Sequence, residues 1–217
     1  MQSSAQPLVV CVCLTRNRPQ WLRQAVGSFY GQSYPRKRML IWNTGAAPLG
    51  EDTYALEERF FPGAFGTIGK LRNLANWESW GELICHWDDD DYSAPNRIAH
   101  QVARLEGTGK AVTGFGSMRF TDGERWWNVT LPAGHVFGSS LCYRRDYWER
   151  HPFADLQIGE DRKFYERAMI EGQLDICDAG DLMHGTIHPG NTSPREIGDG
   201  WRRCPAPEYM MALEAVR

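Results

Sequence analysis

Gly81-Glu82-Leu83-Ile84-Cys85-His86-Trp87 runs directly into Asp88-Asp89-Asp90-Asp91-Tyr92. The first seven residues form an apolar run of strand length, and that strand carries four successive carboxylates to the edge of a core. Like charges at adjacent positions repel, and each raises its neighbours' pKa unless a cation or hydrogen-bond donors offset them. An acidic run alone is usually a solvated face. A hydrophobic strand leading into it calls for a positive partner instead. Side chains two apart in an extended segment point the same way, so Asp88 and Asp90 are expected on one side, Asp89 and Asp91 on the other. One pair is then placed to grip a metal. Oxygen-only ligands favour Mg²⁺ or Mn²⁺, which keep open positions for phosphate oxygens. The location agrees, since ligands of open α/β sheets bind outside the carboxyl ends of the strands.

The rest of the chain sets limits around this stretch. A length of 217 residues suits one domain with a sizeable core and leaves little room for a second. A net charge of -3 gives no electrostatic footprint for nucleic acid. The six cysteines contain no Cys-x-x-Cys pair and several lie in apolar runs, which predicts free thiols, a cytoplasmic setting and no zinc site. The run Leu8 to Leu14 is too short to span a membrane and lacks a basic flank, so neither a signal peptide nor a transmembrane segment is expected. In such a compartment the sequon at Asn128 is fortuitous. Nine tryptophans fit sugar stacking, though core packing uses the same residue.

Leu8 to Leu14 reads as a buried strand, and Trp21, Leu22, Ala25, Val26 and Phe29 follow at helical spacing between Pro19 and Gly31. Met39 to Trp42 is a second strand ending at Asn43. Strand, helix and strand over this length imply a right-handed parallel crossover, the opening unit of a Rossmann-like fold. Residues 46–66 are expected to be a peripheral connection with a short helical stretch, Asp52 to Phe60. From Thr67 a helix places Ile68, Leu71, Leu74 and Ala75 on one face and Lys70, Arg72 and Asn73 on others. Beyond the acids, Ile98, Val102 and Leu105 form a helix core face after Pro95. Ala111 to Phe115, Ser117 to Thr121 and Arg125 to Leu131 read as three strands, with a hairpin turn at Asp122-Gly123. Trp126 and Trp127 are then expected to face opposite ways, one into the core and one toward an acceptor. Gly159-Glu160-Asp161 opens a helix with Phe164, Ala168 and Met169 on one side; acids there are usually caps. The tail after Pro194 is expected to be Pro-rich and then helical from Glu208 to Val216.

The stretch from Gly81 to Tyr92 resembles the strand and Asp-X-Asp motif of GT-A fold glycosyltransferases, especially the inverting family 2 enzymes. The resemblance spans roughly residues 8 to 192 and implies a single-domain, three-layer α/β/α sandwich with a mainly parallel mixed sheet. It implies a nucleotide-sugar site of Thr15, Arg18, Asn43, Arg72, Asp88 and Asp89, and a metal held by Asp90 and Asp88. Thr15 to Pro19 is similar to the family's first nucleotide-binding turn, and Arg72 to the Arg that meets the diphosphate. Gly138-Ser139-Ser140 is similar to the segment beneath the donor sugar. Family members often carry an acid where this chain has Asn43, which leaves the base open among UDP first, then GDP or dTDP. Asp161 is the implied base and Glu160 its neighbour. His188, in the run His188-Pro189-Gly190-Asn191-Thr192, is similar to a late metal-binding His, with His184 as its competitor.

The implied activity is metal-dependent, inverting transfer of a sugar from a nucleoside diphosphate to a hydroxyl acceptor on a glycan or lipid-linked sugar, with Mn²⁺ or Mg²⁺ as cofactor. Peripheral contact with a membrane is compatible with such an acceptor. Two other classes compete. A sugar-phosphate nucleotidyltransferase usually carries a Gly-rich loop after its first strand, and Thr15 to Pro19 contains no Gly. An inactive nucleotide- or glycan-binding relic need not keep both Asp88 to Asp91 and Glu160-Asp161. Plain calcium binding is disfavoured because no Gly-turned ligand loop follows the acids.

Overall fold

Val9, Cys11 and Cys13 alternate with Val10 and Val12 along β1 (Val9–Thr15), so both faces of this strand are apolar and both are covered. The computed structural model describes residues 6–50, 55–63, 66–192, 197–198 and 200–207. One face of β1 packs on α1 (Pro19–Tyr30) and α3 (Arg97–Thr108), through Leu22, Ala25, Val26, Phe29, Ile98, Val102 and Leu105. The other packs on α2 (Ile68–Glu78), α4 (Arg145–Arg150) and α5 (Glu160–Ile170), through Leu71, Ala75, Tyr147, Trp148 and Phe164. These are the three layers of an α/β/α sandwich.

β1 lies between β2 (Lys37–Asn43) and β4 (Leu83–His86), parallel to both. β3 (Leu56–Phe60) extends the parallel half beyond β2. On the far side of β4 the sheet is mixed: β8 (Cys142–Arg144), β6 (Val112–Thr121) and β7 (Trp126–Thr130) run antiparallel to their neighbours, and β11 (Trp201–Cys204) closes that edge. β9 (Leu174–Asp178) and β10 (Met183–Thr186) join β6 in parallel, and β10 also pairs with β5 (Tyr92–Ser93). A mixed sandwich around a parallel centre matches the expected class.

Several local expectations are corrected. Leu56 to Phe60 is strand rather than helix, because so short a stretch does not fix its own period and ladder bonds to β2 decide it; residues 51–54 lie outside the described residues. Ala111 to Phe115 and Ser117 to Thr121 fuse into β6, with an irregularity against β9 between Phe115 and Ser117. Trp126 and Trp127 do point apart but both are buried: Trp126 packs edge-on to His184, and Trp127 meets Trp201 of β11. That strand falls in the stretch taken as a tail; the expected helix from Glu208 lies outside the described residues. On α2 the buried face is rotated, with Arg72 and Asn76 inside and Leu74 outside. Met169 of α5 is likewise exposed.

Candidate active site

The acid cluster follows the carboxyl end of β4 and is anchored on both flanks. Trp87 donates its indole N–H to the Ala25 carbonyl at 3.0 Å. Arg97, almost wholly buried, donates to the carbonyls of His86 (2.9 Å) and Ser139 (3.0 Å) and to the Ser93 hydroxyl (2.8 Å), with its guanidinium over Trp87. Sequence reasoning missed Arg97, which reads as an ordinary helix arginine until the carbonyls it reaches are known.

A turn at Asp89 and Asp90 breaks the strand period, so the expected pairing of acids changes. Asp88, Asp90 and Asp91 each offer a carboxylate oxygen within 4.8 Å of one another. Asp89 points instead to β1, where its two oxygens accept from the Thr15 hydroxyl (2.7 Å) and Arg18 (2.9 Å). Burial first, then the neighbouring Asp90, raises the Asp89 carboxyl to about 6 against the pull of Thr15 and Arg18. Arg18 also reaches Asp90 at 3.0 Å and the Gly190 carbonyl, so it ties the first turn to the loop after β10.

Of the two histidines, His188 comes to the acids. Its Nε2 lies 3.0 Å from Asp90 Oδ2, beside Asn191 Nδ2 at 3.3 Å, and its ring stacks on Trp21. His184 is buried between Tyr92 and Trp126. Burial depresses its imidazole to about 4, and Arg119 adds to the effect. The unfolded chain therefore takes up this proton first, near pH 6.5. Stability from His184 is complete above that value and lost as pH falls toward 4, by about 1.4 kcal/mol per pH unit. Urea denaturation at pH 7 and pH 5 should show this slope, flattened in His184→Asn; equal slopes would mean that the ring is not held neutral.

Arg72 joins the acids to the start of α5. Its Nε donates to Glu160 at 3.1 Å, and its Nη2 stands 3.8 Å from Asp88. Burial raises the Glu160 carboxyl, opposed by Arg72 and reinforced by Asp161. Glu160 is thus buried and held by an ion pair. Asp161 is half-buried, and its Oδ1 accepts the Arg162 backbone N–H at 2.6 Å. The other oxygen lies over Gly138, where an added Cβ would stand 1.5 Å from Asp161 Oδ2. Only glycine leaves that oxygen its place. Gly138 belongs to the short 3₁₀ turn Gly138–Ser140 held by Arg97 through Ser139.

Asn43 lies at the end of β2, but both ends of its amide serve the loop that follows. The Nδ2 group donates to the Ala47 carbonyl (2.9 Å) and Glu58 (2.7 Å), and Oδ1 accepts from Gly45 N–H (2.8 Å). Two cavities open at this end of the sheet, divided by Thr15 and Arg18. One, of about 290 Å³, is lined by Trp42, Thr44, Leu71 and Asp89 among others; the second, of about 260 Å³, by Asn17, Leu22, Asn43 and Ala46. Both are near the lower size limit of small-ligand sites.

No known family's sequence profile matches this chain. Two curated relatives, each named an uncharacterized glycosyltransferase, come from Rickettsia felis and Rickettsia bellii. They are 29% identical over 101 residues and 26% over 105, covering 44% and 46% of this chain. The matches take in only 17% and 15% of the relatives' own lengths, so the chain spans about a sixth of the proteins it matches. Among solved structures, S. aureus TarS 1-349 in complex with UDP-GlcNAc superposes with a TM-score of 0.71 at 16% identity, over 88% of this chain and 62% of that one. The mannosyltransferase PcManGT from Pyrobaculum calidifontis, in complex with GDP-Man and Mn²⁺, gives 0.64 at 15% identity, over 84% and 57%. The chain has the GT-A fold of these glycosyltransferase structures.

Proposed function

We propose that this chain is a metal-dependent, inverting glycosyltransferase that moves a sugar from a nucleoside diphosphate to an acceptor hydroxyl on a glycan or lipid-linked sugar. The observation that carries this reading is Arg72, which binds the acid cluster and the Glu160-Asp161 pair into one site. The neighbours' ligands, UDP-GlcNAc and GDP-Man, support a uridine or guanosine donor. The six free cysteines support a reducing compartment such as the cytoplasm, and no described helix is long and apolar enough to cross a membrane.

The all-oxygen cluster of Asp88, Asp90 and Asp91 fits Mn²⁺ or Mg²⁺, whose charge would stabilise the departing diphosphate. Thr15 and Arg18 hold Asp89 toward the nucleotide cavities. His188 and Asn191 orient Asp90 from the outer side. Asp161, the more open of the two carboxylates that begin α5, takes the proton of the acceptor hydroxyl as that oxygen bonds to the anomeric carbon. The bond to the diphosphate oxygen breaks in the same step, and the nucleoside diphosphate leaves with the electron pair. Glu160 keeps Arg72 in place and stays out of the proton transfer. A single displacement inverts the anomeric centre, so an NMR spectrum of the product that shows retention would overturn this mechanism.

The direct test is thermal-shift titration with UDP-, GDP-, dTDP- and CMP-linked sugars, with and without Mn²⁺. A ligand at 100 times its Kd stabilises the native state by about 2.7 kcal/mol. One base should give a metal-dependent shift, and Asp90→Ala should abolish it. An unchanged shift in that variant would sink the metal assignment. No shift with any donor would favour the inactive relic.

A further inference from the structure

A cavity of about 370 Å³, larger than either cavity at the acid cluster, opens at the other end of the parallel strands. Val10 and Leu40 contribute to its floor, and Arg38, Glu57, Glu78 and Trp80 to its walls. Val10 precedes Thr15 by five positions of β1, or roughly 16 Å of strand at ~3.3 Å per residue. The cavity therefore stands well apart from the nucleotide end. α2 packs over β1 and β2. Register pairs Leu40 with Glu57 and Trp42 with Arg59, so β3 presents Glu57 and Arg59 on the face beside α2.

The chemistry of the rim selects among ligands. Arg59 stands between Glu57 at 2.5 Å and Glu78 at 3.7 Å, so the charges on this face offset one another locally. A phosphate would meet Glu57 and Glu78, and an ammonium would meet Arg38. An apolar peptide or acyl chain would strip water from these ion pairs without replacing its hydrogen bonds. A neutral polyol avoids each of these costs. Guanidinium and carboxylate groups donate to and accept from adjacent hydroxyls, while an exposed indole offers a flat apolar surface to the C–H face of a pyranose. Trp80, just beyond the end of α2, is 78% exposed, and Trp77, near that end, is 69% exposed. An exposure this large at two tryptophans is not explained by the core.

We propose that this cavity is a second carbohydrate site, which holds a neutral oligosaccharide through Trp80 and the Arg38, Glu57 and Glu78 rim. The site does not depend on sugar transfer. In a glycosyltransferase it would retain a glycan acceptor between turnovers.

The test uses the intact chain labelled with ¹⁵N. Its tryptophan indole signals are followed during titration with chitohexaose, maltohexaose, cellohexaose and mannohexaose. One of these should shift the Trp80 signal in a saturable way. Trp80→Ala should weaken that binding at least tenfold, read by calorimetry, and Glu57→Gln should weaken it also. Neither residue touches the acid cluster, so nucleotide-sugar stabilisation should be the same in both variants as in the unaltered chain. The proposal is overturned if none of the four probes moves Trp80, or if Trp80→Ala binds as the unaltered chain does. Oligosaccharide binding without any nucleotide-sugar binding would instead overturn the proposed activity and leave this site standing.

Discussion

Asp161→Asn is expected to lower kcat by about 10²–10⁴-fold, the usual contribution of a general base, while donor binding stays unchanged. The substitution keeps the shape of the side chain. Its carbonyl oxygen can still accept the Arg162 N–H, as Asp161 Oδ1 does at 2.6 Å, so the start of α5 should hold. What it removes is the ability of the second oxygen, the one over Gly138, to take a proton. Measuring kcat alongside donor affinity separates the two roles. Loss of both together would show that Asp161 is a helix-start residue whose removal disturbs the site as a whole. The choice of Asp161 over Glu160 rests on access. Glu160 is buried against Arg72, and a proton delivered there would have to break that ion pair.

Arg72→Met is expected to cost about 3–5 kcal/mol of stability, because it leaves Glu160 buried without its counter-charge. Met fills much of the same volume, so the loss reports charge more than packing. Glu160→Gln in the same chain should recover part of it, with a coupling of about 1–3 kcal/mol between the two positions. Urea denaturation of the single variants and the double variant measures that coupling. A cost below about 1 kcal/mol for Arg72→Met, or strict additivity, would mean that the bridge contributes little. In that case the acid cluster and α5 would be neighbours without an electrostatic link, and the observation that carries the proposed function would lose its force.

The acid run illustrates how far sequence patterning reaches. A strand period placed Asp88 and Asp90 together, and they are together. The same period put Asp91 on the opposite side, and the turn at Asp89 and Asp90 brings it back. Nothing in a run of identical residues marks where a strand gives way to a turn. Arg72 shows a second limit. Its helix was legible from Leu71 and Ala75, but an arginine reads as solvated until the carboxylates it pairs with are known, one of them the buried Glu160, 88 positions away. Asn43 shows a third, since its hydrogen bonds are made to a loop and to β3, whose conformations short-range patterns did not specify.

What the sequence by itself determined is the three central parallel strands, β1, β2 and β4, and the position of the acids at the carboxyl end of β4. Apolar runs of strand length, a helix between the first two, and a polar break after each are local signals, and the right-handed crossover leaves one arrangement for the first two strands. It also determined that thiols stay free and that the core has two sides, since both faces of β1 are apolar. Tertiary structure alone decided which acids cluster, which histidine meets them, and where both tryptophans of β7 are buried. Those outcomes depend on contacts between residues roughly 70 to 100 positions apart, as with Asp90 and His188 or Trp127 and Trp201. Such contacts are set by loop paths and strand register, to which local hydrophobic period contributes no information.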